Sequence, residues 1–419
     1  MLTHKSFIYM LVFFLITLAI ISINEDTITS DPIADIHMSK TNDIVTATNG
    51  NGNIIYNGTD DVAAIEAAIN ELSDGGIIFF KKGVYDIGRT VILRSNLSLI
   101  GEEGVVFNCF NGVAFSVSTS GYSSSTLPLS GDTNSVDSSI KLSSTTGLDV
   151  GDYIKISDDV LSIHQGQYYN NGEIVKIIAI DGNTITINRP LYSVYSTANN
   201  AMIRKITMFE NIKFENIDLV GYGIETNSIG ISLYSTKNFK ISSCEISNFG
   251  TQAIRLWDCL DVTVENNIFK NNFRTGMGYS VNLVNACDGI TIINNSFLEN
   301  GRHYIAAGAG TGARISDGMC RNVDVINNIF EDSTQEAINT HATTQAMFRV
   351  VDNEFSNCGK GIEFTNSDSV ISNNTFRNCG IGIHIRGTGS HLIEENYFQG
   401  NDVDYELSDG SEITGNLVD

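Results

Sequence analysis

The chain has little proline, few cations and a single tryptophan. Only 3 of its 419 residues are proline, which argues against proline-rich linkers between separate domains. Its 25 Lys and Arg residues stand against 48 Asp and Glu residues, which gives a formal charge of −23. This balance argues against a nucleic-acid partner, because a phosphate backbone requires a basic face. An acidic polysaccharide would need a locally basic surface for the same reason.

The chain instead contains an imperfect repeat. Six times an Asn is followed two residues later by a Phe. The pairs are Asn267/Phe269, Asn295/Phe297, Asn328/Phe330, Asn353/Phe355, Asn374/Phe376 and Asn396/Phe398. Successive phenylalanines are 28, 33, 25, 21 and 22 residues apart, and alternating apolar residues precede each pair. A period of this length with strand-type alternation indicates a solenoid whose coils are built of strands.

Stacking of coils explains why the same residue types return. Coils lie about 4.8 Å apart, like neighbouring strands, so residues in register lie on top of one another. We expect the phenylalanines to stack in the core and the asparagines to hydrogen-bond the backbone and each other at a bend. Replacing Asn328 by Leu is then predicted to cost roughly 1–3 kcal/mol.

Five of the seven cysteines follow the same register. Cys259, Cys287 and Cys320 each lie ten residues before a Phe, whereas Cys358 and Cys379 each lie three residues after one. An odd number of cysteines in a secreted protein leaves disulfides open, but the shared register favours ladders of buried thiols. Cys358 and Cys379 are the pair for which a bond is geometrically allowed.

The first 55 residues read as a targeting segment and a leader. An uncharged apolar run over residues 7–23 follows His4 and Lys5. It predicts a signal peptide or a signal anchor within residues 1–23, and hence a secreted or cell-surface protein that touches a membrane only through this segment. Residues 24–55 are polar without clear periodicity, and we interpret them as a tether.

Residues 56–120 begin with signals for a helix and a strand. Asp60 and Asp61 can cap a helix, and apolar residues follow at helical spacing as far as Leu72. Gly75-Gly76, a strand over residues 77–80 and Gly83-Val84-Tyr85 come next. A short helix at this place would cover the open end of a solenoid.

This opening resembles the pectate-lyase-like superfamily of right-handed parallel β-helix proteins. The shared order is Asp, an Ala-Ile-x-x-Ala-Ile helix, Gly-Gly, a strand and Gly-x-Tyr; Lys82 stands where many relatives carry Pro. The resemblance implies an all-β fold over residues 57–419, a right-handed parallel β-helix with a short N-terminal capping helix.

Residues 121–200 interrupt the repeat, which resumes over residues 201–419. Alternating strands separated by Gly-Asp and Asp-Gly-Asn turns predict a small antiparallel β subdomain between coils. It resembles insertions in relatives that include viral tail-spike-type proteins. Its role is either structural padding or one wall of a substrate groove, in which Tyr168 and Tyr169 would stack on sugar rings.

Functional side chains must point outward, because inward side chains build the core. By alternation, the strand after each Phe corner places Arg255, Asn282, Asn339, Glu363 and His384 in one outward column. The next column contains Trp257, His341, Thr365 and Arg386. Each charged side chain has the alternative of being an ordinary solvated residue.

Three cations lie at one offset from the repeat. Arg274, Arg302 and Lys360 each follow a Phe by five residues, which predicts a basic stripe interrupted at Gln335. Such a stripe on an acidic protein suits acidic sugars. The predicted substrate-binding residues are Arg274, Arg321, Asn339, Lys360, Glu363, Trp257, His384 and Arg386.

The longest coil carries the most specific motif. Arg302-His303 precedes a Gly/Ala-rich stretch that ends at Arg314, and Asn339-Thr340-His341 follows one coil later. This resembles superfamily members with an Arg-His pair, a Gly-rich loop, an Arg and an Asp-x-His on the next coil. Uronan C5-epimerases and related lyases also have Asp-x-His on this face, whereas Asn339 replaces the Asp here.

These residue types suit removal of the proton next to a uronate carboxylate. Arg302 or Arg314 would pair with the carboxylate and stabilise the enolate-like charge, and His303 or His341 would take the proton. Hydrolysis needs instead two carboxyl groups about 5–10 Å apart, for which Asp317 and Glu363 are the candidates. The histidines have a purely structural role as their alternative.

The sequence therefore predicts an exported lyase or C5-epimerase that acts on an acidic, uronate-containing polysaccharide. A glycoside hydrolase on the same fold and a non-catalytic glycan-binding surface or tail-spike-like protein stay open. No metal ligands are predicted, since no compact carboxylate cluster is visible. The resemblance still leaves Ca²⁺ open as a cofactor, because many lyases of this fold use it.

Overall fold

A computed structural model describes residues 33–110, 112–118, 121–164, 167–308, 318–341, 346–365, 367–387 and 389–419. The predicted signal segment, Arg314 and Asp317 lie outside these residues, as do the side chains of Tyr168 and Tyr169. Residues 35–419 form one compact unit. None of the helices in the described part of the chain is long and apolar enough to span a membrane.

Three mainly parallel sheets of 14, 11 and 10 strands wind into a solenoid of about 13 turns, and most turns supply one strand to each sheet. The first sheet runs through Ile54–Gly58, Ile44–Asn49, Ile36–Thr41, Gly76–Phe80, Leu97–Gly101, Phe209–Glu215, Thr236–Ser242, Leu260–Glu265, Asp288–Ile293, Arg321–Ile326, Ala346–Val351, Ser367–Ser372, His391–Glu394 and Ser411–Thr414. The second runs through Gly83–Ile87, Val105–Cys109, Asp218–Gly223, Glu245–Phe249, Ile268–Lys270, Ser296–Leu298, Ile329–Glu331, Glu354–Ser356, Thr375–Arg377, Tyr397–Gln399 and Leu417–Val418. The third runs through Val91–Leu93, Val113–Val117, Ile229–Tyr234, Gln252–Trp257, Tyr279–Val284, His303–Gly308, Glu336–Thr340, Lys360–Phe364, Ile381–Ile385 and Val403–Glu406.

The repeat's phenylalanines form one column inside the solenoid, as predicted. From Phe269 to Phe398 their ring centroids are 4.7 to 5.1 Å apart, and neighbouring rings lie within 10° of parallel. This separation equals the spacing of coils, so each ring covers the next. The fully buried column fills a core with room for one layer of side chains.

The asparagines form a second column, also as predicted. Each side-chain amide donates to the side-chain oxygen of the next Asn at 3.0 Å, from Asn267 through to Asn416. The same amides also bond backbone carbonyls, such as that of Ile292 at 2.9 Å from Asn328. The ladder therefore satisfies polar groups at a bend where the chain has no strand partner.

All seven cysteines are free and buried, which confirms the prediction of thiols. Cys259, Cys287 and Cys320 form one ladder, in which Cys287 interacts with the thiol on either side and each Sγ donates to a backbone carbonyl. Cys358 and Cys379 contact each other in the same way without a disulfide. Burial raises the pKa of Cys259 and Cys320 well above the ordinary thiol value, so both stay protonated.

The helix predicted after residue 60 spans Asp61–Glu71 and is named α1. The Asp60 carboxylate accepts a hydrogen bond from the backbone N–H of Ala63 at 2.9 Å and caps it. Its apolar side chains, including Val62 and Ile65, belong to the main core, so α1 covers the first coils.

Residues 36–55 of the predicted tether are instead strands and their turns, and that part of the prediction is wrong. Ile36–Thr41, Ile44–Asn49 and Ile54–Gly58 extend the first sheet as an antiparallel meander. Ile36 pairs in parallel with Ile78 at the first coil. The strands were missed because short alternations such as Ile36/Met38 are diluted by Ser, Thr and Asn.

An antiparallel sheet is inserted between coils, as predicted, and we call it the insert. Its six strands are, in sheet order, Tyr122–Pro128, Met202–Ile206, Tyr153–His164, Gln167–Asp181, Thr184–Ile187 and Ser139–Lys141; a short 3₁₀ helix lies at Thr197–Asn199. It has an apolar core of its own. The nearly buried Lys155 ammonium joins it to Asp258 of the solenoid at 2.8 Å.

Candidate functional site

The outward column predicted from alternation exists on the third sheet. Register pairs Arg255 with Asn282, Asn339 with Glu363, and Glu363 with His384. Ala306 occupies the coil between Asn282 and Asn339. The outer face of the third sheet therefore aligns these polar side chains over six coils and is called the third-sheet face below.

A second column borders this face and was not predicted. It contains Tyr279, His303, Glu336 and Lys360 in successive coils, preceded by Gln252. The equal offset from Phe predicted that Gln335 lies beside Lys360 in the adjacent coil, but the residue in register with Lys360 is Glu336. The column became visible only through strand register.

The predicted stripe of Arg274, Arg302 and Lys360 is wrong. Phe330 and Glu336 are six positions apart, whereas Phe355 and Lys360 are five apart, so equal offsets from Phe do not give equal heights on this face. Arg302 contacts Gln335 through Nε at 2.8 Å.

Arg274 lies in the loop before Tyr279 and bonds the side chain of Asn227. It is therefore not stacked on Arg302. The two arginines share only the neighbourhood of that loop, since Arg302 Nη1 donates to the backbone oxygen of Gly276 at 2.7 Å.

His303 and His341 lie together, as predicted, but His303 is not on the exterior. Its side chain is 1% exposed, because it stacks on Tyr279 at 5.6 Å between centroids and meets the His341 ring edge-on at 5.3 Å. His303 Nδ1 lies 3.1 Å from Glu336 Oε2. Within the described residues, His303 Nε2 is buried without a hydrogen-bond partner.

The Glu336 carboxylate favours one tautomer of His303. A carboxylate facing Nδ1 favours a proton on that nitrogen and leaves Nε2 as the proton acceptor. Burial alone would raise the pKa of Glu336, but His303 and Lys360 outweigh burial and lower it to about 2. Glu336 is therefore ionised throughout the neutral range.

Lys360 joins two carboxylates. Its Nζ lies 3.3 Å from Glu336 Oε1 and also contacts Glu363. Burial opposes ionisation of Glu363, but the contact with Lys360 holds its pKa below the ordinary value. His384 Nδ1 at 3.0 Å and Arg386 Nη1 at 3.3 Å complete the shell of Glu363. The cations at this end of the face are thus matched by carboxylates.

Arg302 differs from those cations. Its Nη1 also contacts the Tyr279 hydroxyl at 3.3 Å, so three neutral oxygens hold the guanidinium. Among the described residues it has no carboxylate within ion-pair distance. Burial raises the pKa of Tyr279 and Arg302 lowers it less, so the phenol stays protonated at neutral pH.

An aromatic platform lies on the same sheet toward the N-terminus. The rings of Tyr234 and Trp257 are 5.8 Å apart at 36°, and Arg255 lies over Tyr234 at 5.3 Å. Arg255 also donates to Ser232 Oγ at 2.8 Å. Flat apolar rings with a fixed cation suit a sugar ring.

Arg321 does not belong to this face, which corrects its predicted role in substrate binding. It begins a strand of the first sheet, is 3% exposed, and donates to Ser193 Oγ of the insert at 2.7 Å. Its place after a long loop made it resemble a site residue. Its contacts instead fasten the insert to the solenoid.

Comparison with known proteins gives the fold. A family model described as periplasmic copper-binding protein (NosD) matches residues 308–416, about a quarter of the chain. No curated protein sequence matches. Among solved structures, the tailspike gp61 of Pseudomonas phage phi297 aligns with a TM-score of 0.63 at 16% identity, over 80% of this chain and 57% of the tailspike. The chain is a right-handed parallel β-helix protein.

Two other β-helix proteins align at similar levels. The Gp54 tailspike of Acinetobacter baumannii bacteriophage AP22, solved with an A. baumannii capsular saccharide, gives a TM-score of 0.58 at 18% identity over 86% of this chain and 67% of that one. The Streptococcus pneumoniae surface adhesin PfbA gives 0.53 at 12% over 86% of each. This β-helix spans little more than half of the phi297 tailspike.

The described residues do not fit a copper or calcium ion. Copper prefers Cys, Met and His ligands, whereas the cysteines here are buried in the core. No group of three or more His, Cys, Asp or Glu side chains in the described part of the β-helix is arranged to hold a metal. No step is therefore assigned to a metal ion.

Proposed function

We propose that the chain is an exported carbohydrate-active β-helix protein, a lyase or C5-epimerase that acts on an acidic polysaccharide at the third-sheet face. The observation that carries the proposal is Arg302, a cation held by neutral oxygens beside Tyr279 and the paired histidines. The tailspike bound to a capsular saccharide and the surface adhesin support a polysaccharide partner and an extracellular or surface location.

Arg302 would bind the uronate carboxylate. A guanidinium pairs with a carboxylate through two parallel hydrogen bonds and stabilises negative charge that develops when the neighbouring proton leaves. Lys360 suits this role less, because Glu336 and Glu363 already neutralise it. The carboxylate would then lie at the Tyr279 end of the site.

His341 would act as the base, with His303 as its support. His341 is partly exposed, whereas His303 is buried against it and oriented by Glu336. In elimination the base takes the proton from the carbon next to the carboxylate. The electron pair of that C–H bond forms the new C=C double bond, and the bond from the adjacent carbon to the leaving oxygen breaks. The protonated Tyr279 would supply a proton to that oxygen. In epimerisation the proton returns on the opposite face instead.

A glycoside hydrolase is a weaker proposal than a lyase or epimerase, and its candidate carboxylates change from Asp317 and Glu363 to Glu336 and Glu363. Asp317 lies outside the described residues. Glu336 takes its place in the pair, because Lys360 contacts both Glu336 and Glu363. A glycosidase needs one protonated carboxyl group as general acid. Both glutamates have lowered pKa values, so neither holds a proton at neutral pH.

A non-catalytic glycan-binding protein is the second candidate. The platform of Tyr234 and Trp257 favours it, because stacking on rings binds sugars without any chemistry. The same platform would also serve a lyase as a distal subsite. Binding alone therefore does not separate the two candidates, but product formation does.

The deciding experiment incubates the chain with polymannuronate, polygalacturonate and a glucuronate-containing polymer. An increase in ultraviolet absorbance from an unsaturated uronate marks a lyase, solvent-proton exchange at C5 without cleavage marks an epimerase, and new reducing ends without absorbance mark a hydrolase. Binding to all three without product would reject the enzyme in favour of the adhesin.

Variants then test the assignment. Arg302→Ala should lower kcat/KM by roughly 10²-fold or more, and His341→Ala by roughly 10²- to 10⁴-fold. Arg377→Ala is the control, since this exposed arginine pairs with Glu354 on the second sheet. Activity that survives both site substitutions would reject the site.

A further inference from the structure

A second cleft lies where the insert meets the first sheet. Its volume is about 270 Å³. One wall comes from the insert, with Tyr153, Lys176, Asn188 and Arg189, and the other comes from the first sheet and its turns, with Lys237 and Asp261. This volume lies just below the usual range for ligand pockets, roughly 300–1,000 Å³, and suits a single sugar ring.

The cleft is separate from the third-sheet face. Asp261 and Asp288 belong to strands of the first sheet, on another side of the same coils that carry Tyr279 and His303. The insert supplies the opposite wall, so the cleft exists only because the β-helix is interrupted. None of the residues proposed for proton abstraction lines it.

Two lysines at this cleft have little carboxylate compensation. Lys176 Nζ lies 5.3 Å and Lys237 Nζ 5.7 Å from the centroid of the Tyr153 ring. Within the described residues Lys176 has no ion-pair partner. The carboxylate nearest Lys237 is that of the exposed Asp261 at 3.7 Å, a distance and exposure at which an ion pair contributes little. Both ammonium groups therefore lie beside the Tyr153 ring, and Glu210 is a further carboxylate that acts on Lys237.

Arg189 shows the contrast within the same cleft. Its guanidinium contacts Glu173 at 2.6 Å and Asp288 at 2.9 Å, so it is neutralised as a structural group. Its Cζ also lies over the Tyr192 ring, 4.2 Å from the ring centroid. Arg189 is thus engaged by carboxylates of the wall, which leaves Lys176 and Lys237 as the cations of this cleft that are available to a ligand.

We propose that this cleft binds a carboxylated sugar residue, with the carboxylate between Lys176 and Lys237. A protein of charge −23 repels anions in general, so an anion needs such a local pair of cations to be held. Asn188 accepts from the backbone N–H of Lys176 at 2.7 Å and leaves its amide nitrogen as a donor for sugar hydroxyls. Asp261 supplies an acceptor.

The choice of a sugar acid rests on the proposed function, whereas the anion site rests on the lysines alone. A residue held in the cleft would anchor a polymer whose other residues occupy the third-sheet face. Two weak sites on one polymer raise its apparent affinity through effective concentration. The cleft would then act as a retention site, not as part of the chemistry.

The test is calorimetric titration of the full chain with D-glucuronate and with D-glucose. We expect glucuronate to bind and glucose not to bind. Lys176→Gln and Lys237→Gln should each weaken glucuronate binding at least tenfold. Lys240→Gln is the matched control: it lies on the strand of Lys237, outside the cleft, pairs with Glu265, and should change nothing.

Trp257, the only tryptophan, reports the other face. Glucuronate binding that persists in both lysine variants and changes Trp257 fluorescence belongs to the third-sheet face and overturns the proposal. Absence of glucuronate binding, or equal binding of glucose, overturns it as well. If binding depends on the lysines but polyuronates give no product, the cleft stands and the proposed enzyme fails.

Discussion

The bend that carries the asparagine ladder and the outer face of the third sheet are built from the same coils, yet they differ in regularity. At the bend one residue type repeats from Asn267 to Asn416 with a constant 3.0 Å contact. On the face, Asn282, Ala306, Asn339 and Glu363 follow one another in one column. Interior positions must fit their neighbours above and below, whereas outer positions are free to differ. The difference separates what supports the fold from what is available for function.

Replacing Phe330 by Ala should have the largest effect on the regular region. The ring is fully buried and stacks on Phe297 at 4.9 Å and on Phe355 at 4.8 Å. A cavity in a single-layer core cannot collapse easily, so we expect a loss of about 3–5 kcal/mol, measured from the denaturant midpoint.

Phe110→Ala is the control, because Phe110 is 53% exposed. It should change stability by less than about 0.5 kcal/mol. Equal losses at the two positions would contradict the view that the stacked column stabilises the coils.

Acid should destabilise the irregular region through Glu336. Its folded pKa is lowered from 4.5 to about 2, so its stabilising contribution is complete above pH 4.5 and is lost as the pH falls toward 2. The shift corresponds to a contribution on the order of 3 kcal/mol. Thermal unfolding of the parent chain and of Glu336→Gln should therefore converge over this pH range.

Glu354→Gln is the control for that measurement. Glu354 forms an exposed ion pair with Arg377 on the second sheet. Such a pair contributes little, so this variant should follow the parent chain at every pH. A difference in stability between the parent chain and Glu336→Gln that stays constant down to pH 2 would contradict the lowered pKa of Glu336.

Asn328→Leu tests the ladder itself. The change removes donors to the carbonyls of Ile292 and Ile326 and the acceptor for Asn295, so buried groups lose partners. We expect a loss of roughly 1–3 kcal/mol by denaturant unfolding.

The matched control is Asn327→Gly. Asn327 is exposed with a φ of +52°, a conformation that Gly adopts without strain. Little change is expected there. Similar losses at both positions would mean that Asn328 has no special place in the coil.

The smallest expected effect decides the register of the face. A double-mutant cycle between Glu336 and Lys360 should give a coupling of about 1 kcal/mol, because the pair is 3.3 Å apart. The cycle between Gln335 and Lys360 should give a coupling near zero. Coupling of Lys360 with Gln335 and none with Glu336 would instead support the register on which the predicted cation stripe was based.

Much of the fold could be predicted because stacked interior positions require the same residue types at regular intervals in the sequence. Asn and Phe recur in six successive coils, and α1 begins where Asp60 caps it. Residues 36–58 escaped prediction because their strands are short and polar, and only pairing with the first sheet defines them. The site was half predicted, since alternation placed His384 and Glu363 in one column but gave no sign of Glu336 beside His303.

The sequence by itself determined that coils stack, which side chains fill them and which strand faces outward, because vertical stacking forces like residues into like positions. The tertiary structure alone decided that His303 is buried, that Glu336 pairs with it, and that Arg321 fastens the insert. These depend on a one-residue difference in coil length and on contacts between segments more than 100 residues apart. No local pattern records either of them.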